Sequence, residues 1–95
     1  MLTSVQLLTH PQKWKREIGT YLLPWKDKIT IKDLRGWALW IIFPLITIRI
    51  YGEDLDLEYP VWNIEIINHI SKEMKYRHTK SIQGIKELLH ELNEN

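Results

Sequence analysis

The four histidines, at positions 10, 69, 78 and 90, are the residues best suited to metal or acid–base chemistry in a chain that contains no cysteine. Glu87-Leu-Leu-His90 has the Glu-x-x-His spacing that puts both side chains on one helix face, as in di-metal helical bundles. Such a site needs a second copy on a facing helix, and the sequence contains none. His69 and Glu73 stand four apart, within reach of each other on a helix. A His-Glu-x-x-His motif is absent, and without cysteine there is no thiolate ligand. These histidines therefore read as surface residues of amphipathic helices, and neither a metal nor a cofactor is expected. Ser4, Ser71 and Ser81 suit helix caps or surface positions rather than a strained nucleophile elbow. Asp54, Asp56 and Glu58 alternate with Leu55 and Leu57, which predicts a solvated strand face and not a shielded acid–base pair. The glycines at 19, 36, 52 and 84 are isolated, so no phosphate loop is present. The expectation is a protein that is not an enzyme and has no small-molecule substrate.

Binding chemistry is better represented. Lys13, Lys15, Arg16, Lys26, Lys28, Lys32 and Arg35 fall within 23 residues, interleaved with Trp14, Tyr21, Trp25 and Trp37. Phosphate attraction joined to aromatic stacking is how sequence-tolerant single-strand binders work. Lys13, Trp14, Lys15, Arg16, Lys26, Lys28, Lys32 and Arg35 are thus candidate nucleic-acid contacts. Against a groove-reading role stands the stretch Gly36–Phe43, "GWALWIIF", which has no polar side chain to read base edges. The same cluster beside Trp37, Trp40 and Phe43 suits a membrane surface less well, because the apolar run breaks at Pro44.

The elements that must position these residues follow from periodicity. Pro11 fits the first turn of a helix carrying Trp14, Ile18, Tyr21 and Leu22 at helical spacing, and Pro24 stops it. A turn and a short strand over 29–31 come next. Thr30 to Asp33 follows the capping-box pattern with Asp in place of Glu, predicting a helix over about 31–43. On that helix Leu34, Trp37, Ala38 and Ile41 share one face, while Leu39, Trp40 and Phe43 fall on the other. Apolar on both sides, it must be sandwiched in the core or offer one side to a partner. Leu39, Trp40 and Phe43, with Trp25 as a second anchor, are the candidate protein-binding residues.

The stretch "LITIRIY", Gly52-Glu53 and "DLDLEY" predicts a hairpin over 45–51 and 54–59 with a type II′ turn. Its register sets Ile50 opposite Leu55, Ile48 opposite Leu57 and Arg49 opposite Asp56. After Pro60 the pattern admits a helix (Trp62, Ile66, Ile67, Ile70, Met74) or a strand (Trp62, Ile64, Ile66), and length favours the helix. A last helix over about 79–92 carries Ile82, Ile85, Leu88, Leu89 and Leu92 on one stripe.

Ninety-five residues, 44% hydrophobic and 26% charged, describe a single globular domain over 1–95. Net charge is +1, yet residues 1–50 carry +5 and residues 51–95 carry −4. Fourteen isoleucines against one alanine suggest an AT-rich coding sequence, as in viruses and mobile elements among others. Cysteine absence fits a reducing, cytoplasmic setting, and "MLTSVQLLTH" lacks the features of a signal peptide. The run Trp37–Ile48 is twelve residues, short of the roughly 20 that cross a bilayer. The expected architecture is α+β: three or four helices packed on a small antiparallel sheet containing the 45–51/54–59 hairpin. The expected function is that of a small regulatory or accessory protein acting through a protein partner, a homodimer included. Nucleic-acid binding through the basic, Trp-interleaved half is the alternative.

Overall fold

The computed structural model describes residues 11–53 and 61–94. Helix α1 (Pro11–Tyr21) leads through a 3-10 turn (Leu23–Trp25) into five strands and a final helix. The strands are β1 (Thr30–Asp33), β2 (Ala38–Ile42), β3 (Ile46–Glu53), β4 (Val61–Asn68) and β5 (Met74–Thr79), and the helix is α2 (Ile82–Glu94). The strands form one sheet in chain order, every neighbour antiparallel. This is a small, mostly-sheet α+β fold with two α-helices among the described residues, which corrects the expectation of three or four helices on a small sheet.

Two of the expected helices are strands. Residues 38–42 alternate in burial with Leu39 and Ile41 inside, and residues 61–66 do the same with Trp62, Ile64 and Ile66. β-branched and aromatic side chains suit a pleated surface and are stiff in a helix. An apolar residue on the second face of β2 looked like helical two-sidedness because both sheet faces carry apolar groups. Thr30–Asp33 forms an edge strand rather than a cap, and Gly36 supplies the positive φ of 74° in the loop before β2.

The hairpin register is also corrected. Gly52 and Glu53 continue β3 instead of turning, paired with Trp62 and Val61. Ile50 faces Leu39 on one side and Ile64 on the other, so both edges of β3 are taken. The partner strand expected over 54–59 lies outside the described residues. Gly52 is there for a different reason: a Cβ at this position would stand 2.6 Å from Cε3 of Trp37, whose indole lies against the backbone. A glycine in a strand marks close approach as well as a turn.

Both helices cover the same face of the sheet. Their buried residues Trp14, Ile18, Leu22, Ile85 and Leu89 join Leu39, Ile41, Phe43, Ile48, Ile50, Trp62, Ile64 and Ile66 in one core. At one end three indoles meet: Trp14 stacks on Trp37 at 6.1 Å and meets Trp62 edge-on at 6.0 Å. Lys15 is buried beside them, its Nζ 2.6 Å from Asp33 Oδ1 and 2.5 Å from the Leu34 carbonyl oxygen. That ion pair fixes α1 against edge strand β1. Glu17 and Lys86 pair at 2.9 Å between the two helices.

The opposite end is closed by two linked turns. Phe43 N–H donates to the Ile46 carbonyl at 2.8 Å around Pro44-Leu45. In the β4–β5 turn the Asn68 side-chain oxygen accepts from the N–H groups of Ile70 and Ser71, and Lys72 takes the left-handed conformation at φ 65°. His69 joins the turns: its backbone N–H donates to the Leu45 carbonyl at 2.9 Å, and its Nδ1–H donates to that of Pro44 at 3.0 Å. Its Nε2 then accepts from the Thr47 hydroxyl at 2.6 Å.

Candidate binding face

Strand alternation sends every second side chain to the face that the helices leave open. Register sets these side chains in rows across the sheet. The central row is Lys32, Trp40, Arg49, Glu65 and Tyr76, on β1 to β5 in order. Toward the β3–β4 connection lies the row Ala38, Tyr51, Asn63 and His78. Toward the two linked turns lies the row Thr30, Ile42, Thr47, Ile67 and Met74.

The centre is a layered stack. The Arg49 guanidinium lies 4.3 Å from the Trp40 ring centroid, a cation–π distance, and its Nη1 is 3.5 Å from Glu65 Oε2. Trp40 Nε1 and Arg49 Nε are buried and have no hydrogen-bond partner among the described residues. On the far side of Glu65, Tyr76 is 65% exposed, its hydroxyl donating to Met74 Sδ at 3.2 Å. Between Tyr51 and Tyr76 a hollow of about 290 Å³ opens, with Asn63, Glu65 and His78 in its lining.

Both sheet edges are basic. On β5 and its flanks Lys72, Lys75, Arg77 and Lys80 are exposed, against Glu73 alone within the same stretch, and alternation puts Lys75 and Arg77 on the helix side, opposite Ile66 and Ile64. At the β1 edge Lys26, Lys28, Lys32 and Arg35 are exposed, against Asp27 and Asp33 within the same stretch. Beside the linked turns Leu45 is 59% and Ile70 78% exposed.

The structure separates residues that the sequence grouped. Leu39 and Phe43 are 2% and 7% exposed in the core, whereas Trp40, adjacent to Leu39, points to the open face. Trp25 is half-buried on the helix side, edge-on to Tyr21 at 5.5 Å. These four therefore form no common patch. In the basic cluster Trp14 and Lys15 are buried, while Lys13 and Arg16 lie exposed on α1, on the helix side. Lys26, Lys28, Lys32 and Arg35 do gather at one edge. The tyrosines and the basic β5 strand were missed. Their signal was present in "KEMKYRHTK", Lys72 to Lys80, four cations around Tyr76 and His78, which read as the end of a helix.

For metal chemistry, the described residues contain no group of three or more His, Asp or Glu able to hold an ion. His69 is bound to Thr47 and Pro44 instead of Glu73, and Glu87 and His90 are exposed on α2. Among the described residues no helix is long and apolar enough to cross a membrane. No family model matches the chain, and no curated protein or solved structure matches it either.

Proposed function

We propose that the chain is a binding protein whose open sheet face takes single-stranded nucleic acid. One observation carries the reading: a face uncovered by either helix presents the Arg49–Trp40 stack, Tyr51 and Tyr76, with Lys32 in the row of Trp40 and Arg77 in the lining of the hollow. Bases of single strands stack on aromatic rings and on guanidinium planes, while lysines and arginines hold the backbone. Arg49 and Tyr51 are two residues apart on one strand, so their side chains leave the sheet about 7 Å from each other. That is a spacing an extended strand of nucleotides can follow. A cysteine-free sequence suits a cytoplasmic setting for this role.

The test is fluorescence anisotropy of a labelled oligonucleotide of about ten nucleotides, within the site size of small single-strand binders. Binding at low salt should weaken with added salt, with a log–log slope near −2 for about three phosphate contacts. Absence of binding at low salt overturns the reading.

A second reading, a protein partner, is favoured by a separate observation. Leu45, Ile70 and Met74 form an exposed apolar corner beside Ile42 and Ile67, next to Trp40 and Arg49. Trp, Tyr, Met and Arg are the residues that interfaces enrich. Under this reading Trp40 remains an anchor and Leu39 and Phe43 act only as its support. If the partner is a second copy, sedimentation equilibrium shows a dimer that Ile70→Asp dissociates; a monomer at all concentrations removes the homodimer.

A further inference from the structure

We infer that the hollow between Tyr51 and Tyr76 is a base-reading site that receives one amino-bearing nucleobase, cytosine or adenine in preference to thymine or uracil. This rests on the nucleic-acid reading above and gives it a specificity.

The hollow has the size, flanks and polar groups for the task. At about 290 Å³ it is small, at the lower limit of ~300 Å³ for small-molecule sites, so it has room for one ring system. Tyr51 on β3 and Tyr76 on β5 flank β4, and the β4 residues Asn63 and Glu65 lie between them in the register. Tyrosine rings on both flanks favour a flat aromatic guest over an aliphatic one.

Hydrogen-bonding capacity narrows the guest further. The Asn63 amide both donates and accepts, whereas an ionised Glu65 only accepts. The Arg49 contact to Glu65 is a single one at 3.5 Å, which leaves the carboxylate with acceptor capacity. An exocyclic amine is the donor such an acceptor seeks. Cytosine N4 and adenine N6 provide it, and thymine presents a carbonyl oxygen at the equivalent place. Arg77 and His78 also line the hollow and supply donors, so the discrimination rests on Glu65, where a thymine or uracil carbonyl would meet a carboxylate, acceptor against acceptor.

The surrounding charge favours a polyanion as the carrier of that base. Lys72 and Lys80 flank β5 and are exposed, and Arg77 joins the lining of the hollow, whereas Lys75, opposite Ile66, leaves the strand on the helix side. Glu73, Glu87 and Glu91 line the grooves on the helix side of β5 together with Lys75 and Arg77. In the three described rows of the open face, Glu65 is the lone carboxylate.

The experiment compares oligo-dC with oligo-dU, which differ only at the pairing edge: cytosine has an amine at position 4 and an acceptor N3, uracil a carbonyl and an N3–H. Anisotropy titrations on the whole chain should show dC bound roughly tenfold more tightly, within the range of one good base contact. Asn63→Ala and Glu65→Ala should bring the two affinities together by weakening dC while leaving dU binding in place. Glu65→Gln, which keeps the volume, guards against a packing artefact and should reduce the preference severalfold. Tyr76→Ala should weaken both oligonucleotides by about tenfold. Thermal melts of each variant establish that it is folded. Equal affinity of the native chain for dC and dU, or a preference that survives both alanine variants, overturns the base-reading site and leaves nucleic-acid binding intact. No binding of either oligonucleotide overturns both, and points to the protein partner.

Discussion

Leu39 and Trp40 are consecutive residues of β2, and their surroundings differ in kind. Leu39 is 2% exposed and belongs to one core with the strand isoleucines and the buried residues of both helices. Trp40 stands on the other face with a guanidinium over its ring and a carboxylate within reach of that guanidinium. The helix-covered face is built around three indoles, six buried isoleucines and leucines of the strands, and a glycine that lets Trp37 approach. The open face mixes aromatic, aliphatic and charged groups, and each face keeps two buried nitrogens without a partner among the described residues: Trp14 Nε1 and Trp62 Nε1 under the helices, Trp40 Nε1 and Arg49 Nε on the open side. A period of two makes such separation possible in adjacent positions, because a strand sends neighbours to opposite sides. Stability and binding can then be changed by different substitutions.

The largest effect should come from the covered face. Trp14→Ala should cost about 3–5 kcal/mol, because Trp14 is fully buried and touches two further indoles. Urea unfolding monitored by circular dichroism measures it, and a loss below about 1 kcal/mol would mean that the helix layer is not the stabilising one.

The Lys15–Asp33 pair gives a second, asymmetric test. Lys15 is buried whereas the Asp33 side chain is 51% exposed. Asp33→Ala leaves a buried ammonium with the Leu34 carbonyl alone and should cost about 2 kcal/mol. Lys15→Met keeps the aliphatic stem, returns Asp33 to water, and should be nearly neutral. Equal costs in denaturant unfolding would show that the pair acts as a surface bridge.

Gly52→Ala should destabilise by about 1–3 kcal/mol through overpacking against Trp37. A Trp37→Ala background should remove most of that penalty, since the obstructing ring is gone. A penalty that persists there would return Gly52 to a role in backbone conformation.

The smallest stability effect belongs to the open face. Tyr76→Ala should change unfolding free energy by less than about 0.5 kcal/mol, as for exposed positions generally, while weakening oligonucleotide binding about tenfold. A large loss of stability from Tyr76→Ala would erase the distinction between the two faces.

Both helices were legible because each shows a single apolar stripe with polar residues elsewhere: Trp14 and Ile18 in α1, continued by Leu22 just past its end, and Ile82, Ile85 and Leu89 in α2. The helix start at Ser81 is legible too, its hydroxyl accepting from the Gly84 N–H at 3.0 Å. The central third was misread for physical reasons. Trp37 to Phe43 has apolar residues on both strand faces, and a run apolar all round carries no period that distinguishes strand from helix. Gly52-Glu53 carried the composition of a hairpin turn, but the glycine answers to the indole of Trp37, fifteen residues earlier in the chain. The candidate site suffered in the same way. Trp14 and Lys15 looked like partners of Lys13 and Arg16 by proximity in sequence, and the turn of α1 carries them inward instead.

By itself the sequence determined the α+β class, the first and last helices, a β-rich middle around Ile46–Tyr51, and a supply of aromatic and basic side chains. These are local properties, set by spacing of apolar residues, by prolines and by residue type. Tertiary structure decided which strands pair, which face the helices cover, and therefore that Tyr51 and Tyr76 flank one hollow although 25 residues separate them. Pairing of strands distant in sequence depends on what lies on both sides of each strand at once. No window of the chain contains that information, so the binding face emerges only when the sheet is assembled.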